Sequence, residues 1–219
     1  MAGKASTTRA PKRPGPKRRD LTRARLVAAA IGLLDEGGVA ALSMRSVADA
    51  VGVTPMALYN HFAGKRELLR AVADGMISEG KFDGGHAEWR RQIGHCFTAL
   101  RTLCISHPAL PELLQQEGAV PPSASVPMQL TVRALTAAGI GEIDALRCFF
   151  VLIGYTLSQT AYQARPIPAL DPLEPGSCVT LHGIGDAPGW NYDESFAFGL
   201  GLVLDGIDAA VNRAARGCG

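Results

Sequence analysis

The chain has 219 residues, 47% of them hydrophobic and 19% charged, a balance that suits a globular protein with a sizeable core. Its longest apolar run, Cys148 to Tyr155, is too short to span a bilayer, and the basic N-terminus lacks the apolar stretch of a signal peptide, so a cytoplasmic protein is expected. The net charge of +2 hides an asymmetry: residues 1–70 hold 13 Lys and Arg against 5 Asp and Glu, whereas residues 71–219 hold 9 against 15.

A basic front on an acidic remainder predicts that one end meets a polyanion. Residues 1–20 carry seven of those cations among Pro and Gly and have no apolar periodicity, which predicts a disordered basic segment. Two readings fit it, an arm that follows phosphates or enters a minor groove, and a solubilising tail; its direct lead into a helical unit favours the arm. A first helix is predicted from about Thr22 to Asp35, with Leu26, Ala30, Leu33 and Leu34 at helical spacing and Gly37-Gly38 as its stop.

Residues 43–63 carry the strongest signal. Ser43 is placed to cap a helix on which Val47, Ala48 and Val51 share one face, and Gly52 supplies the left-handed residue that ends it. Thr54 and Pro55 open a second short helix as cap and first residue, and Val53 and Leu58 anchor it inward. Met56, Ala57, Tyr59, Asn60 and His61 are left outward. This is the pattern of a helix-turn-helix that lays its second helix in the major groove of DNA; an ordinary helical hairpin is the alternative. A fourth helix opens near Gly64 and carries Leu68, Leu69, Val72, Met76 and Ile77 to Gly80.

Beyond a Gly-rich break the pattern remains helical. Trp89, Ile93, Phe97, Leu100 and Cys104 mark a helix over 87–106, and Pro108 and Pro111 frame a short one with Leu113 and Leu114. Pro121-Pro122 break the chain, and a helix over 125–138 ends at Gly139. The helix over 143–164 is apolar on most sides and is expected to be buried on most sides. Residues 166–191, with five prolines and four glycines, predict a long loop that could serve as a lid. A last helix over 192–215 contains Gly199, Gly201 and Gly206, which suit either tight packing within one chain or a dimer face. Five cysteines without C-x-x-C spacing read as reduced thiols, with Cys96, Cys104 and Cys148 in the core. No nucleophile elbow, phosphate loop or zinc signature points to an enzyme.

The run ALSMRSVADAVGVTPMALYNHFAGKRELL resembles the DNA-binding head of the TetR family of bacterial transcriptional regulators. The order of elements matches over residues 22–80, and 192–211 is similar to the family's last helix. The resemblance implies an all-α fold: a three-helix helix-turn-helix head over 21–80, joined to a larger helical ligand-binding and dimerisation domain over 81–219. It also implies a homodimer that binds a palindromic double-stranded DNA operator and is released by a small organic effector. A regulator without a ligand, constitutive or controlled by a partner protein, is the alternative. Carried over by position, Arg45 would reach a base edge or phosphate, and Thr54, Pro55, Met56 and Ala57 would lie at the tip of the recognition helix. Tyr59 and His61 would bond phosphates, Asn60 phosphate or adenine, and Lys65 phosphate at the start of the fourth helix. Met56 and Ala57 carry no donors, so specificity is expected to rest on Arg45, Asn60, the arm and DNA shape. Candidate ligand-lining residues are Trp89, His95, Phe97, Arg101, Phe149, Tyr155, Gln159 and Tyr162. His95 and His107 lack a Glu or Asp at supporting spacing, so no metal and no cofactor is expected, and the composition suits an apolar to amphipathic organic molecule.

Overall fold

The computed structural model describes residues 21–115, 121–164 and 190–217, all helical or connecting chain, with no strand among the described residues. The N-terminal arm and almost all of the predicted 166–191 loop lie outside these residues. No described helix is long and apolar enough to cross a membrane.

Four helices form the front of the molecule: α1 (Arg23–Ala41), α2 (Met44–Val51), α3 (Pro55–Tyr59) and α4 (Lys65–Ser78). The Thr22 hydroxyl accepts from the Arg25 N–H to cap α1. The predicted stop at Gly37-Gly38 is a kink rather than an end: Gly38 adopts φ 67°, and a further turn carries Val39 into the core before Leu42. Ser43 and Ser46 cap α2 reciprocally, each side chain accepting from the other's backbone N–H at 3.0 and 2.9 Å. Gly52, at φ 74°, closes α2 by donating to Ala48 and Asp49, the left-handed turn its lack of a Cβ permits. Thr54 stands at the N-cap of α3 with extended backbone, but its side chain makes no capping bond, a departure from expectation; Pro55 at the first position removes one of the amides a cap would serve. Leu26, Ala30, Leu34, Val47, Ala48, Leu58, Phe62, Leu68 and Val72 are buried together as the core of this front unit.

The body comprises α5 (Trp89–Ser106), α6 (Leu110–Gln115), a 3-10 turn (Pro122–Ala124), α7 (Ser125–Ala137), α8 (Glu142–Ala164) and α9 (Tyr192–Gly217). Helix α5 is central and packs against α7, α8 and α9. Its Ile93, Cys96, Phe97, Leu100 and Cys104 meet Leu135, Ala145, Phe149, Leu152, Phe196 and Leu204 in one apolar cluster. Three fully buried threonines return their hydroxyls to carbonyls four residues back: Thr131 to Pro127, Thr156 to Leu152 and Thr160 to Thr156, at 2.8–3.0 Å. Burial pushes the Cys96 and Cys104 thiols up to about 12, whereas Cys148 is only half-buried and is not the core residue expected.

The expectation for α8 needs correction. Ile143, Phe150 and Val151 are exposed, so one side of this helix faces out of the chain. Its neighbour α9 does the same with Phe198 and Leu202. The glycines of α9 divide between the two readings: a Cβ on Gly199 would collide with the Tyr155 hydroxyl of α8, while Gly201 and Gly206 face open space.

Candidate functional site

On the front unit, α3 is only five residues long and points a single buried residue, Leu58, inward. Everything else on it is available. Thr54, Pro55, Met56, Tyr59 and Asn60 are exposed, Met56 by 73%, and Ala57 and His61 are half-buried. Met56 and Tyr59, three residues apart on this short helix, leave apolar surface open beside the polar Thr54 and Asn60.

The surface is held by a clamp behind it. Arg23 of α1 donates to the His61 carbonyl at 2.6 Å and to Glu67 Oε1 at 2.9 Å, and its guanidinium lies 4.4 Å from the centre of the Phe62 ring. Glu67 Oε2 accepts from the Ala63 N–H at 2.7 Å. The Ala63 amide first, and Arg23 second, hold the Glu67 carboxyl below its ordinary value of 4.5. A lowered carboxylate pKa contributes stability above the unfolded value and loses it as pH falls through the folded one. The Glu67 arm of the clamp is therefore strongest at neutral pH and weakens as acid protonates the carboxylate, while the Arg23 bond to the His61 carbonyl does not depend on it.

Lys65 is exposed at the first position of α4, where the free amides of the helix start add to its positive charge. Arg45 is exposed on α2, 3.8 Å from the Asp49 carboxylate, a long and solvated pair that holds it weakly. The nine residues read from the sequence as DNA contacts thus lie on α2, on α3 and the residues flanking it, and on the first turn of α4, and none of their side chains is buried. If these are phosphate contacts, Lys65→Ala and Tyr59→Ala should weaken DNA binding on all sequences, and Lys65→Ala should lower the slope of log affinity against log salt by about one unit. Titration over a salt series checks this; an unchanged slope removes Lys65 from the interface.

The eight candidate ligand residues do not gather at one place. Phe149 and the exposed Phe150 line an apolar cavity of about 420 Å³ that opens to solvent and is bordered by α4, α5, α6, the 121–125 segment, α7 and α8. Arg101 lines a different opening, between α5 and α9. The other six line neither. Phe97 is fully buried, 6.3 Å from the Phe149 ring. Tyr155 stacks on Phe196 and donates to the Ser195 and Phe196 carbonyls. His95 is bonded to the Lys81 carbonyl, and Trp89 packs at the edge of the core. Gln159 is half-buried and Tyr162 exposed.

The cavity walls include Ile77, Leu100, Leu114, Met128, Ile153 and Leu157, residues that sequence analysis had placed only as core or not at all. No sequence signal separates a cavity wall from a core position, because both are apolar at helical spacing. A second missed feature joins front and body. Buried His107, which follows α5, has Asp35 of α1 at 3.1 Å from Nδ1 and Glu79 at 3.3 Å from Nε2. The two carboxylates sit on opposite ring nitrogens, a bridge between elements and not a shared ligand point. Ser123 adds a second link through its N–H to Asp74 of α4, at 3.3 Å.

Comparison with known proteins follows the same geometry. A family profile described as "Bacterial regulatory proteins, tetR family" matches residues 26–72, which span most of α1 to α4. The chain is 29% identical to the HTH-type transcriptional repressor DrrR1 of Streptomyces coeruleorubidus, over 94% of this chain and 83% of that protein. It is similar to the crystal structure of Mycobacterium smegmatis BioQ, with 32% identity and a TM-score of 0.69 over 87% of this chain and 99% of that one. A structure of BioQ with its natural double-stranded DNA operator superimposes with 33% identity, a TM-score of 0.67 and the same coverage. ActR of Streptomyces coelicolor, in complex with (S)-DNPA, matches with 25% identity and a TM-score of 0.72, over 87% of this chain and 98% of that one.

Proposed function

The chain belongs to the tetR family of bacterial regulatory proteins and is a helix-turn-helix transcriptional regulator, and from that premise we propose that it is a dimeric repressor released from a palindromic operator by an apolar effector held in the α4–α8 cavity. One observation carries the proposal. Helix α4 begins with Lys65 beside the exposed recognition helix and reaches the cavity wall at Ile77, twelve residues and about 18 Å along the same helix. A ligand that presses on Ile77 and the 121–125 segment therefore acts on a lever whose other end is the DNA surface. His107 and the Ser123–Asp74 bond tie that lever to the body, so its tilt follows the packing of the cavity.

The walls set the class of effector. Ile77, Leu100, Leu114, Met128, Phe149 and Ile153 offer hydrophobic contact, and Ser125 is the one polar side chain among the lining residues. The volume suits a small, largely apolar organic molecule. The relatives are transcriptional regulators.

Dimerisation follows from the exposed stripes. Val151 on α8, and Phe198 and Leu202 on α9, place large apolar side chains in water, with Gly154 and Gly206 leaving open space beside them for a close-packed partner helix; Phe150, also exposed, lies at the cavity. The same stripes on a second copy would bury both sets in a four-helix bundle with two-fold symmetry, and that symmetry would match two operator half-sites.

Ile153→Trp, which pushes a larger side chain into the cavity, tests the effector role. The variant is expected to bind operator as the parent does but to ignore apolar compounds that release the parent in an anisotropy assay over a small-molecule panel. Release of parent and variant alike by the same compound would place the effector elsewhere; no release of the parent by any compound would favour a regulator without a ligand.

A further inference from the structure

Among the described residues, the body holds one arginine in its apolar interior. Arg101 lies midway along α5 with its side chain 9% exposed, and its guanidinium carbon stands 4.9 Å from the centre of the Phe196 ring. Its Nη2 donates to Gln163 Oε1 at 2.8 Å and lies 2.7 Å from Asp193 Oδ1. Among the described residues these are its only polar partners. A guanidinium withdrawn from water needs a counter-charge, and the one it has is a single oxygen of a side chain that is itself 77% exposed in the first turn of α9. The fork of an Arg is satisfied best by two oxygens of one carboxylate, and Asp193 does not supply that.

Beside the guanidinium, a groove of about 730 Å³ opens between α5 and α9. Its walls are Thr98 and Thr102 on one side and Leu200 and Leu204 on the other. Both threonine hydroxyls are spent on helix carbonyls, Thr98 on Gly94 and Thr102 on Thr98; Ser106 and Gln163 add neutral polar groups to the lining, and Arg101 is its one cationic donor. Arg101 and Asp193 are the only charged residues of the lining, which leaves one positive charge to be matched once Asp193 moves aside. We propose that this groove binds a small aliphatic monocarboxylate, whose anion takes the place of Asp193 on Arg101 and whose chain lies along Leu200 and Leu204.

The site is separate from the α4–α8 cavity, with which it shares no lining residue. It also survives dimerisation. Phe198 and Leu202 are two residues on from Phe196 and Leu200, about 200° around the helix, so a second copy seated on them leaves the groove open.

Saturation-transfer NMR titrations of the full chain, without DNA, with hexanoate and with hexanamide, test the proposal. Hexanoate is expected to bind, and the uncharged hexanamide at least about tenfold more weakly. Asp193→Asn removes the competing carboxylate and is expected to strengthen hexanoate binding several-fold, whereas Arg101→Met abolishes it. An Arg101–Asp193 pair with a purely structural role would give no gain from Asp193→Asn. Equal binding of acid and amide, or no strengthening by Asp193→Asn, overturns the proposal; because Asp193 is exposed, that variant decides even if Arg101→Met fails to fold. Ile153→Trp is expected to leave hexanoate binding unchanged. Loss of binding there would put the acid in the other cavity and defeat this assignment while leaving the effector reading intact.

Discussion

A Phe198→Glu, Leu202→Glu double variant is expected to sediment as a monomer and to lose operator affinity by at least about a hundredfold, the scale on which two linked heads exceed one. Both side chains are exposed in the single chain, 71% and 57%, so the substitutions leave its own core intact and the circular dichroism spectrum should not change. Their effect falls on the contact with a second copy, where two buried carboxylates per subunit would face apolar side chains. The affinity loss follows from geometry: one head reaches one half-site, and the symmetric operator offers two. A double variant that stays dimeric would move the interface away from the α9 stripe.

The second large effect is local. Leu58→Ala is expected to cost about 2–5 kcal/mol, the usual range for removing a fully buried leucine. The consequence is greater than the number suggests, because α3 cannot persist by itself. A five-residue helix lies far below the length at which isolated helices form in water, and Leu58 is its one buried side chain. Amide exchange should accelerate across residues 55–62 while α5 and α8 stay protected, and operator binding should fall with it. Native protection over 55–62 together with full affinity would contradict the account of how the recognition helix is held.

The recognition helix was also the part most legible in the sequence. Ser43, Gly52 and Pro55 each answer a local backbone requirement: a capped start, a left-handed stop and a first residue without an amide. Such requirements are written in single residues, so they can be read without knowing the rest of the fold. Thr54 shows the limit, since it holds the cap position while its hydroxyl makes no capping bond.

What stayed hidden depends on contacts between distant residues. The bridge from His107 to Asp35 spans 72 positions and that to Glu79 spans 28, and no spacing rule announces either. The apolar run in α8 read as core on most sides because periodicity records apolarity, not which partner covers it; Phe150 and Val151 show that part of that surface faces out of the single chain. The ligand candidates scattered for the same reason. Trp89, Phe97 and Tyr155 are large and apolar or amphipathic, and the structure spends them on packing. Arg101 was one of the ligand candidates, but its partner Asp193 lies 92 residues away, beyond the reach of any pattern.

The central claim is that two copies of this chain read a symmetric DNA site through α3. Selection of bound duplexes from a random library by the full-length protein, followed by sequencing, tests it most directly. The account predicts enrichment of an inverted repeat with two like half-sites, and loss of that enrichment in the Phe198→Glu, Leu202→Glu variant. Recovery of no common sequence, or of one asymmetric site bound equally well by that variant, would contradict it.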